Sequence, residues 1–245
     1  MARQTRERIL DTSLAMFNAA GEPNVTTNHI ADELGISPGN LYYHFRNRDD
    51  IVEQLFTRYE TRIDDALLVP EERLPNLEDI WLQLHLVFEC MWAYRFIYRD
   101  LVDILARNRK LKLRFARIMT RASASAAAMM RGLVRAGVMR ASDAEIRGVA
   151  ENVLLVATFW QSFSAVRSRR GDAETGDLAR GIHQVMMLIA PFLRDEERAH
   201  LTTLGLMAPD FPLASSRPLT VIPAKAGIHF DFDVAEHNGF RPSPE

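Results

Sequence analysis

The sequence predicts an all-α fold, on three observations. Apolar residues recur at spacings of three and four, the period of a helix, through most of the chain to Leu206. Glycines, prolines and capping residues punctuate these segments where helices start and stop. One stretch, Thr27 to Arg48, has the pattern of two short helices separated by a tight turn, a helix-turn-helix. The 245 residues suffice for one large or two modest domains with a real core. They divide into a three-helix helix-turn-helix domain over 1–48, a helical ligand-binding and dimerisation domain over 49–207, and a tail over 208–245 expected to be disordered.

From Arg3 to Ala20, Ile9, Leu10, Leu14 and Phe17 form one apolar stripe, and Gly21 stops it. Thr26 and Thr27 offer caps for the next helix, and a threonine at that place has reach to a phosphate. Ile30, Ala31 and Leu34 share a face of that helix. Gly35 tolerates the left-handed backbone that ends it. Ser37 is a good N-cap, and Pro38 suits a first helical position because its missing N–H costs nothing there. Leu41 and Phe45 are four apart and share a face. If Leu41 points inward, Gly39 and Tyr43 lie nearly opposite it, with Asn40 and Tyr42 flanking them and His44 near the buried edge. Gly39 lets backbone approach DNA closely, and Asn40 can donate and accept at a base edge. The tyrosines offer a ring and a hydroxyl, usable on a thymine methyl or a phosphate. Packing against neighbouring helices is the alternative use of two adjacent tyrosines.

The run Thr26-Thr27, Ile30-Ala31, Leu34-Gly35-Ile36-Ser37, Gly39-Asn40-Leu41-Tyr42-Tyr43-His44-Phe45 and Arg48 resembles the DNA-binding domain of the TetR family of bacterial transcriptional regulators. The resemblance covers about the first 60 residues. It departs at Arg48, where the family usually has Lys, and at Asn40, where it often has Thr. The resemblance implies a dimer on a palindromic operator, with Tyr42, Tyr43, His44 and Arg48 contacting phosphates. It also places Arg3 and Arg6, at the start of the first helix, beside the DNA backbone. A solvated basic end is the alternative for either arginine. The expected DNA-binding set is therefore Arg3, Arg6, Thr27, Ser37, Gly39, Asn40, Tyr42, Tyr43, His44 and Arg48.

Asp49 and Asp50 favour a new helix N-terminus. Ile51, Val52, Leu55, Phe56, Tyr59 and Ile63 carry that helix to about Leu68, and Pro70 and Pro75 bracket a loop. Leu77 to Trp92 has a broad apolar face. The aromatic stretch Tyr94 to Asp100 resembles, more weakly, a TetR subgroup that includes regulators of polyhydroxyalkanoate gene clusters. A long helix follows over Lys112 to Ala136, ended by Gly137. Residues 107–121 hold seven basic groups and no acid, readable as a solvated face, a site for an anionic effector such as a coenzyme A phosphate, or a site for an acidic partner. Ser142 and Glu145 form a capping box. The helix they open is apolar almost all round, so it should be buried on every side, one of them by a partner subunit. With the helix Leu178 to Ile189, stopped near Pro191, it predicts a four-helix dimer interface of Val153, Val156, Trp160, Phe163, Ile182, Val185, Met186 and Ile189. The tail holds six of the eleven prolines, and its segment Val221 to His229 looks like a translated interspersed genomic repeat.

Net charge is −2, so no global basicity advertises nucleic acid. Residues 1–60 carry six Arg and nine Asp or Glu, 6 − 9 = −3, leaving a local basic edge of Arg3, Arg6, His44, Arg46 and Arg48 as the candidate. Cys90 is the only cysteine, which suits a reducing cytoplasm, and a buried inert thiol is preferred to a redox sensor. The longest uncharged run, Asn152 to Val166, is too short for a membrane span, so a cytoplasmic protein with no membrane partner is expected. None of the seven histidines pairs at metal spacing, and no nucleophile elbow, phosphate loop or paired-carboxylate motif occurs. No metal, cofactor or enzymatic activity is expected. His85 shares a face with Trp81 and Phe88, as a hydrogen-bonded core-edge residue or a ligand contact.

The expected function is a dimeric repressor released by a small hydrophobic effector, fatty-acyl in character, held among Trp81, His85, Phe88, Met91, Trp92, Phe115, Phe159 and Trp160. A helical acyl-binding or interaction protein that reads no DNA sequence is the other class, favoured only by the acidic balance of residues 1–60.

Overall fold

The protein is described from a computed structural model, which defines residues 2–167 and 176–203. The tail predicted over 208–245, and with it the repeat-like segment, lies outside the described residues. Helices α1 (Ala2–Ala20), α2 (Thr27–Leu34), α3 (Pro38–His44) and α4 (Arg48–Ala66) come first. There follow α5 (Leu77–Ala93), α6 (Arg95–Arg99), α7 (Leu101–Arg107), α8 (Arg109–Arg135), α9 (Asp143–Arg167), α10 (Gly176–Ile189) and α11 (Asp195–Thr203). Among the described residues the fold is all-helical, relieved by two 3-10 turns and one isolated antiparallel bridge between Met139 and Leu193.

The caps lie largely where the sequence put them. Gly35 ends α2 in the left-handed region, φ 64° and ψ 33°, and its N–H reaches the Ala31 and Asp32 carbonyls. Ser37 caps α3 by accepting from Asn40 N–H at 3.2 Å. The Ser142–Glu145 box opens α9, with Ser142 N–H donating to Glu145 Oε2 at 2.7 Å. Thr26, rather than Thr27, caps α2: its Oγ1 accepts from His29 N–H at 3.2 Å, and His29 Nδ1 accepts in return. Asn47 caps α4 and Asn76 caps α5.

The buried residues form two cores. One runs from Ile9, Phe17, Ile30, Leu41 and Phe45 through Ile51, Leu55 and Phe56 to Phe96, Ile104 and Phe115. Helices α1–α3 therefore share a core with α4, α6, α7 and the start of α8, and the packing is continuous across residue 48. The other joins the first half of α5 to the second half of α8, α9 and α10, through Leu84, Leu133, Ile146, Val153, Ile182 and Val185. Helix α9 is long and apolar enough by length and composition to cross a membrane. Here it packs between α8 and α10, with Ile146, Val149, Ala150 and Val153 inside the bundle.

Four of the seven basic groups in 107–121 pair with acids of this chain, Arg107 with Glu22 and three on α8, while Arg109, Lys112 and Arg117 are exposed as a solvated face would have them. Helix α8 lies beside α4, and Lys110, Arg114 and Arg121 meet Glu53, Glu60 and Asp64 at 2.8, 2.7 and 2.8 Å. The numbers rise together along both helices, so the two run parallel. The more exposed Lys110–Glu53 and Arg121–Asp64 pairs each contribute at most about 1 kcal/mol, and the three together fix register more than stability.

Candidate nucleic-acid interface

Helix α3 is capped by Ser37 at its start and Phe45 at its end, and presents one face to solvent. Leu41 is buried, whereas Tyr43 is 79% exposed and Tyr42 49%. Asn40 and Gly39 are exposed beside them, and a Cβ at Gly39 would meet only Ser37 Oγ, at 4.0 Å. The Tyr42 hydroxyl lies 3.0 Å from Thr27 Oγ1, which joins the two helices across the turn. His44 is half-buried and stacks edge-on against Tyr43, ring centroids 5.1 Å apart. Thr27, Ser37, Gly39, Asn40, Tyr42, Tyr43 and His44 thus come together on α2, α3 and the turn between them. Arg3 is exposed on the first turn of α1, and the Arg6 guanidinium lies 5.0 Å over the Phe45 ring.

Arg48 is turned another way. Its Nε lies 2.8 Å from Glu22 Oε1, and Nη1 donates to the carbonyls of Glu22, Pro23 and Val25 at 3.2, 3.2 and 3.3 Å. The guanidinium places one nitrogen at the carboxylate and another at the three carbonyls, whereas an ammonium would have to serve both from a single nitrogen. Glu22 itself is fully buried, and Arg107 closes on its other oxygen. An acid in an ordinary surface turn carries no local signal that it will be buried, so sequence reasoning missed it.

The acidic balance of residues 1–60 is mostly spent away from α3. Glu7 and Asp11 pair with Arg58, Glu22 with Arg48 and Arg107, Glu53 with Lys110 and Glu60 with Arg114.

Among the described residues, those expected to form one effector chamber divide between the two cores and the surface. Phe88 and Trp160 meet over Gly181, whose missing side chain makes room for both. Met91 and Phe115 belong to the other core, Trp81 stacks on His85 at 5.2 Å with His85 Nε2 3.1 Å from Glu89, and Trp92 is stacked under Arg95. Phe159 points outward, into a cleft of about 290 Å³ with Tyr98, Arg99 and Asp100 on its wall. Beside it the Tyr59 and Tyr98 hydroxyls bond each other in a closed core, and burial raises both phenols.

The interface set also divides. Ile182, Val185, Met186 and Ile189 are buried within the protomer, as is Val153, and Val156 and Trp160 are half-buried. Those side chains are the inner face of α10 and α9. Of the expected set, Phe163 stands out at 52% exposure, in a row with Leu155, Phe159 and Val166 on α9, while Met187 is exposed on α10. Helix α9 is apolar on both sides as its sequence indicated, but periodicity cannot say which side meets the same chain.

Two family models match the chain: "Bacterial regulatory proteins, tetR family" over residues 9–55 and "Bacterial transcriptional repressor" of the TetR type over residues 58–201. The crystal structure of a TetR-family transcriptional regulator from Marinobacter aquaeolei VT8 is 39% identical with a TM-score of 0.75, and the match covers 82% of this chain and 96% of that one. The regulator AcrR of Shigella flexneri is 28% identical over 75 residues, 31% of this chain and 35% of AcrR. The regulator TtgW of Pseudomonas putida is 36% identical over 52 residues, 21% of this chain and 39% of TtgW. The matches to these two curated relatives thus span just over a third of their length. The family is one of transcriptional regulators and not of enzymes. By models that together match most of its length, the chain belongs to the TetR family of bacterial transcriptional regulators.

Proposed function

We propose that the protein is a dimeric repressor that binds a palindromic operator in the cytoplasm and leaves it when a small hydrophobic effector binds. The observation that carries the reading is the exposed Asn40–Tyr42–Tyr43 face of α3, held by the Ser37 cap and the Tyr42–Thr27 bond. One seven-residue helix reads too few bases for a specific site, and a two-fold dimer doubles them. In this reading Thr27, Ser37, Tyr42, Tyr43 and His44 hold phosphates, Gly39 and Asn40 approach base edges, and Arg3 and Arg6 flank the backbone. Arg48 contributes by holding the turn before α2. The second protomer covers Leu155, Phe159, Phe163, Val166 and Met187. The aromatic stretch Tyr94 to Asp100 resembles, weakly, that of regulators of polyhydroxyalkanoate gene clusters, which supports a fatty-acyl effector.

A gel shift on the DNA upstream of the protein's own gene tests the reading. Binding should weaken with salt by a log–log slope of about −0.9 per phosphate contacted. Salt-insensitive or absent binding would favour a helical acyl-binding or interaction protein instead. A screen of apolar and acyl-thioester ligands in which none shifts operator affinity would sink the effector half, since release requires unequal affinity for the two states.

A further inference from the structure

Glu22 is a carboxylate with no exposed surface, set in the short turn between α1 and α2. A buried charge is tolerated only when paired and hydrogen-bonded. Here Oε2 accepts a hydrogen bond from Arg107, while Oε1 has Arg48 as an ion-pair neighbour but no hydrogen bond, and the two arginines come from different parts of the chain. Arg48, 2.8 Å from Oε1, opens α4 just after α3; Arg107, 2.5 Å from Oε2, closes α7. The joint between α6 and α7 holds the turn once more and the end of α1 beside it. Asp100 Oδ2 accepts from Glu22 N–H at 3.0 Å, and Arg99 Nη2 donates to the Phe17 carbonyl at 2.6 Å.

We propose that Glu22 is a positioning residue through which α7 sets the attitude of the helix-turn-helix on DNA, with Arg107 and Arg48 as its two clamps. The inference rests on the reading of α3 as the DNA-contacting helix. The turn at 21–25 leads directly into the Thr26 cap of α2, and Arg48 holds three of its carbonyls. A displaced turn therefore moves α2 and α3 together. A displaced α7 draws Arg107 against a carboxylate that has no solvent to turn to. Asp100, which holds Glu22 N–H, and Arg99, which holds the end of α1, also wall the cleft that Phe159 faces. Arg107 leads into the ion-pair ladder of α8 along α4, which ties α7, α8 and α4 into one frame.

The test uses the full chain, the DNA upstream of its own gene and hydrogen exchange read by mass spectrometry. In Arg107→Gln, operator affinity should fall about tenfold, the range expected for coupled charged neighbours. Exchange should quicken in residues 21–45 while α8–α10 keep their protection. Arg107→Lys should recover most of both. Glu22→Gln should behave like Arg107→Gln, and the double variant should be no worse than the weaker single. Unchanged affinity and unchanged exchange in Arg107→Gln would overturn the proposal. So would a change in one without the other, or faster exchange throughout the chain, which marks general destabilisation. If the wild type binds no upstream DNA, the DNA reading fails, and exchange in residues 21–45 then judges the clamp by itself.

Discussion

Tyr43 has most of its surface in water and, among the described residues, His44 as its ring neighbour, so little of the fold depends on it. Tyr43→Ala should weaken operator binding by about 1–3 kcal/mol while leaving stability within about 0.5 kcal/mol, read by gel shift and urea melting. Wild-type affinity in that variant would mean that the outward face of α3 is not the one that meets DNA. Cys90 is the opposite case. It is buried, and desolvation pushes its thiol up to about 12. The native protein should therefore be inert to a thiol reagent at pH 8 and react with one equivalent once unfolded. Rapid native modification would restore the redox-sensor reading. Both residues could be placed from the sequence, because a helical wheel orders neighbours within one helix. Arg48 and Glu22 could not, since their partners lie 26 and 85 positions apart along the chain.

At the scale of the element, punctuation was legible and lateral pairing was not. Gly35, Ser37 and the Ser142–Glu145 box act within a few residues of themselves, so their chemistry is local. Two helical glycines show where the tertiary neighbour decides. A Cβ at Gly181 would come 2.3 Å from Phe88 Cε1 and 2.8 Å from Trp160 Cδ1, whereas one at Gly148 would meet nothing within 4 Å. Helix propensity favours alanine at both by about 1 kcal/mol. Gly148→Ala should therefore stabilise, and Gly181→Ala should destabilise by about 1–3 kcal/mol through overpacking. Equal urea midpoints for the two variants would contradict the close contact of α10 with α5 and α9. The α4–α8 ladder carries a pH signature as well. The Lys110 ammonium and the Asn108 amide lower the Glu53 carboxyl below its ordinary 4.5. A depressed acid stabilises the fold above its unfolded pKa and loses that contribution as pH falls through the folded value. The Lys110–Glu53 rung should thus be intact at pH 6 and fade below about pH 4.5. Lys110→Met should cost stability at pH 6 and progressively less on acidification.

For the whole molecule, the decisive question is which face of the α9–α10 pair meets a second protomer. Phe163→Glu places a charge in the exposed row and should convert dimer to monomer in light scattering without lowering the melting temperature of the protomer. Val185→Ala removes volume from the closed core and should cost about 1–3 kcal/mol of stability instead. A Phe163→Glu protein that remains dimeric would move the interface elsewhere. The all-α class, the helix ends, the helix-turn-helix and its outward residues are legible in the sequence, because they depend on periods and caps that act within about one turn. It took the packed fold to show that Lys110, Arg114 and Arg121 of α8 form a ladder along α4, that Val185 and Met186 face inward while Phe159 and Phe163 face out, and that Glu22 is clasped between two arginines. A side chain's burial and charge partners depend on segments far away in the chain, and no local period encodes them. The stretch that identifies the protein is therefore readable as a string, while the contacts that hold it against the rest of the molecule are not.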